Sequence, residues 1–388
     1  MIPFNKPHFV GTEARNFAQV QLQGQISGDG PFTRQCHDWL ERRTGARRAL
    51  LTHSCTAALE MAAILADIAP GDEVIMPSYT FVSTANAVAL RGGAPVFVDI
   101  RPDTLNLDET LIEAAITPRT RAIMPVHYAG VACEMDAILE IAGRHGLLVI
   151  EDAAQGIMAT YKGRPLGAIG HLGAMSFHET KNVISGEGGA LLVSDPAFAD
   201  RAEIVREKGT NRRQFLRGQV DKYTWVDIGS SYLPSELVAA FLAAQLDEAE
   251  TITARRLDIW RRYHEAFDAA ERQGRIRRPV VPAECGFNAH MYYLLLQDVD
   301  DRTRFIEAMK AAGIGTAFHY VPLHSAPKGA SVGRAQGELP VTSDLANRLV
   351  RLPLWPGLEE SQARVIETAL DILEGRARKP GSDFAVAV

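Results

Sequence analysis

From about Ala49 onward, short apolar runs alternate with longer stretches of helical spacing. ALL gives way to TAALEMAAILADI, EVIMP to TFVSTANAVALRG, and PVFVDI to LDETLIEAAI. A continuous apolar run too short for a helix, followed by apolar residues recurring every three or four positions, marks a strand and then a helix. The rhythm continues through AIMPVHY, EMDAILEIAGRHG and LLVIEDAA. Crossovers of helix length join parallel strands, and strands apolar on both faces are covered on both faces. The pattern therefore predicts an α/β fold around a mostly parallel sheet. Functional side chains in such a sheet collect beyond the strand C-termini.

AMSFH and GALLVSD read as further strands, and the stretch from Ser235 to Gln273, free of glycine and proline, reads as helix leading out of the first domain. A smaller α+β pattern follows, with MYYLLLQD as strand, RTRFIEAMKAAG as helix and GTAFHYVPLH as strand and turn. We place the boundary near residue 250, giving a large domain over 1–250 and a small C-terminal domain over 251–388, with RKPGSDFAVAV as a loose tail. A chain of 388 residues, 46% of them hydrophobic, is long enough for two cores. Forty-one basic against 47 acidic residues leave a net charge of −6, which supplies no broad basic surface for nucleic acid. The four cysteines stand far apart with no CxxC pair, so no metal site is expected and a reduced, cytoplasmic compartment fits. The start MIPFNKPHFV lacks the order of a signal peptide, and no apolar run reaches membrane length, so a soluble protein without a membrane anchor is expected.

Four segments carry candidate chemistry. In VIEDAAQG an apolar strand ends in Glu151 and Asp152, with Gln155 three residues on. A carboxylate at the sheet mouth can pair with a cation such as a protonated pyridine nitrogen, though a metal ligand, a helix cap or a surface acid is an equal alternative. In GAMSFHETKNVISGEGGALLVSD, Lys181 follows one strand and precedes another across a turn rich in glycine. Most lysines are solvated charges, but one that is desolvated near Asp152 can lose its proton and attack an aldehyde. Ser176 adds a hydroxyl suited to phosphate. In LLTHSCTAALEMAA a strand breaks at His53-Ser54-Cys55-Thr56 and a helix begins at once, which suits an anion or simple capping by Ser54 or Thr56. Tyr79 and Phe81 follow the next strand, where they can stack on a flat ring or pack in the core. A phosphate turn, an aromatic, an acid and a lysine at successive strand ends are a poor coincidence.

With SFHETKN, GEGGA, PSYTFVSTANA and HYVPLH, these motifs resemble the DegT/DnrJ/EryC1/StrS family of sugar aminotransferases across nearly the whole chain. The resemblance implies the aspartate aminotransferase architecture (fold type I), a homodimer with its active site at the subunit interface, and pyridoxal 5′-phosphate as cofactor, with pyridoxamine phosphate as its aminated form. By position, Lys181 would carry the cofactor as a Schiff base, Asp152 would pair with the pyridinium, and Gln155 would contact the ring's phenolic oxygen. Ser176, Cys55 and Thr56 would hold phosphate, and Phe81 would stack on the ring. Many relatives have an asparagine that reaches the neighbouring subunit's phosphate where Leu233 stands, leaving Ser230 or Ser231 as substitutes. GDGPFTRQC, PVHYAGVACEMD, REKGTNRRQF and RGQVDKYTW are similar to the subgroup that aminates C4 of a dTDP-linked 4-keto-6-deoxyglucose with glutamate, releasing 2-oxoglutarate.

For the diphosphate of such a substrate, Arg212, Arg213, Arg217 and Lys222 form a candidate cationic path, and His319, Tyr320 and His324 are candidate contacts to sugar or glutamate. A solvated loop and satisfied structural histidines are the plainer alternatives. Amination at a 3-keto position is the runner-up. A dehydratase using pyridoxamine phosphate is disfavoured by Lys181 itself and by the absence of clustered cysteines. A nicotinamide oxidoreductase lacks its G-x-G-x-x-G, and a non-catalytic sensor of the same fold is disfavoured. A thiol hydrolase built on Cys55 and His53 would need a lowered thiol pKa.

Overall fold

The computed structural model describes residues 1–376, so the expected loose tail lies outside the described residues. An eight-stranded sheet forms the centre of the large layer. Its order is Arg48–Thr52, Gly189–Val193, Leu172–Ser176, Leu148–Asp152, Thr120–Ile123, Glu73–Pro77, Ala94–Val98 and Arg334–Ala335. Every pairing from Leu172–Ser176 outward to Arg334–Ala335 is parallel, and Gly189–Val193 runs antiparallel to both of its neighbours. The α/β class and the mostly parallel sheet are therefore as expected. Helices Cys55–Leu65, Val82–Ala89 and Met135–His145 cover it, each following a strand as the apolar rhythm predicts.

Ser235–Gln273 is helical but not one helix. It divides into Glu236–Asp247, Ala249–Ala266 and Asp268–Arg272, because Glu248 (φ −106°, ψ 11°) and Phe267 (φ −88°, ψ 0°) leave helical geometry. The expected boundary near residue 250 falls beside the first of these breaks. Beyond it, Tyr263, Phe267, Tyr292, Phe305 and Leu352 bury together around a two-stranded sheet of Tyr292–Leu295 and Leu349–Leu352. Arg334–Ala335 nevertheless returns to the edge of the large sheet, and Cys285–Gly286 pairs with Thr160–Tyr161. GTAFHYV, expected as a strand, is irregular: only Ala317 bridges to Arg351 before the chain turns His319 and Tyr320 toward the large sheet. Among the described residues no helix is long and apolar enough to cross a membrane.

The end of strand Leu148–Asp152 explains why two adjacent acids tolerate burial. Successive side chains point to opposite faces of a strand, so Glu151 and Asp152 part company. Glu151, fully buried, accepts hydrogen bonds from the backbone N–H of Gly167 (2.8 Å), Ile169 (2.6 Å) and Gly170 (2.6 Å). It also accepts from His127 Nε2 at 2.8 Å; His127 Nδ1 takes the N–H of Cys133, which leaves the ring proton on Nε2. Glu151 thus fastens two loops to the strand whose next residue faces the opposite side. Glu151→Gln places an amide N–H against these donors and should lower unfolding free energy by about 3 kcal/mol, read from urea denaturation of the protein.

Candidate active site

The strand ends converge on a cavity of about 620 Å³. Ser54, Cys55, Thr56, Phe81, Asp152, Gln155, Ser176, Lys181, His319 and Tyr320 all line it, so the sequence-predicted groups from widely separated segments do meet.

Its floor is the start of helix Cys55–Leu65. The side chain of Ser54 caps the helix by accepting from Ala57 N–H at 3.1 Å, while the N–H groups of Cys55 and Thr56 belong to the unbonded first turn. Capping therefore falls to the Ser54 side chain, and the N–H groups of Cys55 and Thr56 are left over for an anion. Thr56 Oγ1 is 2.7 Å from Ser83 Oγ, a hydroxyl pair at the same end of the cavity. Gly189 makes the turn possible, because a Cβ there would overlap the backbone of Ser54 and Cys55. Burial pushes the Cys55 thiol well above its usual range, and Asp152 adds to that, opposing the lowered pKa that a thiol hydrolase would need.

Asp152 accepts from Thr84 Oγ1 at Oδ2 (2.7 Å) and from Ala154 N–H at Oδ1 (3.1 Å), and Thr84 is itself 2.8 Å from Thr80 Oγ1. Burial raises its pKa, against the pull of these bonds and of Lys181. Lys181 has the mirror-image situation: burial lowers its pKa, against Cys55 and Asp152. An enclosed amine and an enclosed acid, each displaced toward neutrality by loss of water, suit proton transfer and imine formation. Gln155 accepts Ala129 N–H at Oε1 (2.6 Å) and donates through Nε2 to Tyr320 Oη (3.0 Å), which fixes its amide. Tyr320 stacks on His319 at 3.6 Å between ring centroids, and His319 Nδ1 lies 2.7 Å from Tyr128 Oη. Phe81, 56% exposed, stands at the mouth with its ring 6.3 Å from that of Tyr320.

Other expected contacts lie elsewhere. Arg212 pairs with Glu207 (2.6 Å), Arg213 with Asp29 (2.7 Å) and Arg217 with Glu203 (2.6 Å), and none of the three lines the cavity. Lys222 is an exposed loop residue. His324 is engaged by Ser78, whose Oγ is 2.7 Å from its Nδ1. Leu233 is half-buried beside Gly28, and Ser230 and Ser231 are exposed away from the cavity. Sequence reasoning missed Ser83, Thr84, Arg256, His290 and Arg351. The last three line the cavity from the C-terminal part of the chain, and Thr84 carried one signal, a hydroxyl one helical turn after Thr80.

A mostly parallel sheet whose strand ends gather a half-buried lysine, a buried aspartate and an open helix start defines an enzyme of the fold type I class. Residues 8–370 match the DegT/DnrJ/EryC1/StrS aminotransferase family, and the chain belongs to that family. It is 35% identical over 386 residues to the spore coat polysaccharide biosynthesis protein SpsC of Bacillus subtilis, covering 96% of this chain and 97% of that one. Among solved structures, Spr1654 of Streptococcus pneumoniae in its PMP form superposes with a TM-score of 0.90 at 26% identity, covering 97% of this chain and all of the other. DesV of S. venezuelae, in complex with a ketimine intermediate, superposes with a TM-score of 0.84 at 33% identity, covering 95% of each.

An Asp152 that holds a protonated ring nitrogen must be ionised, and the Thr84 hydroxyl favours the ionised form. Thr84→Val should weaken pyridoxal phosphate binding about tenfold. Because loss of the bond raises an already raised pKa, the fall in affinity toward acid should move to higher pH in the variant, read by fluorescence titration across about pH 5 to 8.

Proposed function

We propose that this chain is a pyridoxal 5′-phosphate-dependent aminotransferase acting on nucleotide-linked sugars. It moves an amino group from glutamate to the C4 keto carbon of dTDP-4-keto-6-deoxyglucose, giving 2-oxoglutarate and dTDP-4-amino-4,6-dideoxygalactose for a surface polysaccharide, in the cytoplasm. The observation that carries the reading is the enclosure of Lys181 and Asp152 in one cavity whose floor is an unbonded helix start.

The residues fit the cofactor. The N–H groups of Cys55 and Thr56, with Ser176 Oγ, suit its phosphate, and Asp152 suits a protonated ring nitrogen. Gln155, held by Ala129 and Tyr320, would face the phenolic oxygen, and Phe81 would cover the ring. When bound, the cofactor supplies an aldehyde that condenses with amines and a ring that withdraws electrons from an adjacent carbon. Lys181 does the proton work. Lowered in pKa by burial, its Nζ takes the proton from the donor's α-carbon in the first half-reaction. In the second it delivers a proton to sugar C4 and sets the new stereocentre. His319 and Tyr320, stacked at the cavity wall, would contact the substrates.

The relatives support the sugar reading: SpsC is named for polysaccharide biosynthesis. A homodimer fits a second feature. Phe215, Leu216, Tyr223, Trp225, Val226 and Ile228 are exposed on one segment, an apolar surface suited to a second copy. That segment also carries Arg212, Arg213 and Lys222, which would meet the substrate diphosphate across the interface, with Ser230 or Ser231 in place of an asparagine at Leu233.

Two measurements test this. Incubation with glutamate and a panel of 3-keto and 4-keto dTDP-sugars should yield a 4-amino product from dTDP-4-keto-6-deoxyglucose, identified by NMR; amination at C3 alone would replace the substrate assignment. Lys181→Ala should lower turnover by about 10⁴-fold or more and abolish borohydride fixation of the cofactor to the protein.

A further inference from the structure

Two guanidinium groups in the cavity wall have no acidic partner among the described residues. Arg256, 4% exposed, donates only to backbone carbonyls: Nε to Ala289 O at 3.1 Å and Nη2 to His290 O at 2.7 Å. Burial alone brings its pKa down to about 9. Arg351 donates through Nη2 to Phe318 O at 3.1 Å, its Nε is buried without a partner, and its guanidinium lies 4.8 Å from the centroid of the Phe4 ring. Both line the cavity that holds Lys181, and together with Lys181 they depress the pKa of His290, after burial itself. The acids lining the same cavity do not neutralise them: Asp152 is held by Thr84 and Ala154, and Glu187 is directed to His178 and largely exposed. A buried cation without a counter-charge is costly, so this arrangement calls for an anionic ligand.

We propose that Arg351 and Arg256 form the carboxylate subsite of the amino donor and select a dicarboxylic amino acid. The inference rests on the aminotransferase reading above and adds the donor's recognition to it. Two features favour carboxylates over a phosphate, since the planar guanidinium fork fits either edge to edge. The phosphate-ready groups, Ser54 to Thr56 and Ser176, come from other elements, whereas Arg256 and Arg351 come from helix Ala249–Ala266 and strand Leu349–Leu352. At 4% exposure, Arg256 presents little surface to the cavity, which suits a small anion better than a bulky nucleotide diphosphate. Two unpaired guanidinium groups match the two carboxylates of a donor such as glutamate. They leave one cation unsatisfied with a monocarboxylic amino acid.

Calorimetry on the cofactor-loaded protein tests this with glutarate, butyrate and dTDP as probes, none of which carries an amine. The wild-type protein should bind glutarate at least about tenfold more tightly than butyrate. Arg351→Gln should weaken glutarate by about 10- to 100-fold, to within about threefold of butyrate, and Arg351→Lys should recover only part of the loss. Equal affinities for glutarate and butyrate in the wild type would overturn the proposal, and this comparison decides even where the variant loads cofactor poorly. Glutarate binding that survives Arg351→Gln, or a loss confined to dTDP, overturns it as well. The two readings fail separately: if glutamate leaves the near-visible absorption of the loaded protein unchanged while glutarate still binds through Arg351, the aminotransferase reading falls and the subsite stands.

Discussion

Loss of water around Asp152 and Lys181 is the constraint on which the rest of the site depends. Each would hold its charge in solvent; enclosed together, each is moved toward neutrality and resisted by the other. A carboxyl and an amine in this state are poised to change protonation when a ligand arrives. The fold reaches this condition by placing Asp152 at the end of one apolar strand and Lys181 in the loop that follows another. Strand Leu172–Ser176 is buried along its whole length, and Leu148–Asp152 from its second residue on. The polar groups that remain buried are then obliged to find partners. Thr84 and Ala154 hold Asp152; Tyr320 and Ala129 hold Gln155.

Glu151 extends the same logic to the other face of the sheet. Its four donors tie the 167–170 loop and His127 to the strand end, and His127 N–H in turn bonds Asp152 O. The adjacent acids are thus one device with two faces. The inner one stiffens the backbone, and the outer one is left with a lone carboxylate for the cavity. Read along the chain, Glu151 and Asp152 look equivalent; only the pleat tells them apart, through the period of two.

The same distinction sets how much of the protein was legible in its sequence. Strands and crossovers were legible because apolar runs and helical spacing are local properties, and the site residues at strand ends followed from that frame. Lys181, Asp152, Gln155, Ser176, Cys55 and Thr56 all reach one cavity for this reason. Arg256, His290 and Arg351 were not legible, because they come from the part of the chain after residue 250, and no local pattern says which of its many arginines turns inward. Arg351 sits in RLVRLPLWPG, where the flanking Arg348 takes Asp344 and Arg351 takes no acid among the described residues. Arg212 and Arg213 are the opposite case. A basic cluster suggested a substrate path, yet within one chain their charges are spent on Glu207 and Asp29.

Comparison of these arginines points to a general way of ranking charged residues in such a cavity. An arginine with an acid beside it has its charge already answered, and exposure to solvent weakens whatever remains. One that is buried and bonded only to carbonyls keeps nearly all of its field, and the low dielectric around it raises the value of the first anion to arrive. Arg256 meets both conditions, and Arg351 adds an orphaned Nε. The helix start at Ser54 to Thr56 presents the other positive region, weaker per group because it acts through partial charges on N–H bonds. A cavity with a diffuse positive floor and two concentrated positive points in its wall can sort two anions by size and shape. That is the demand placed on an enzyme that must admit a phosphorylated cofactor and a small acidic donor to adjoining positions.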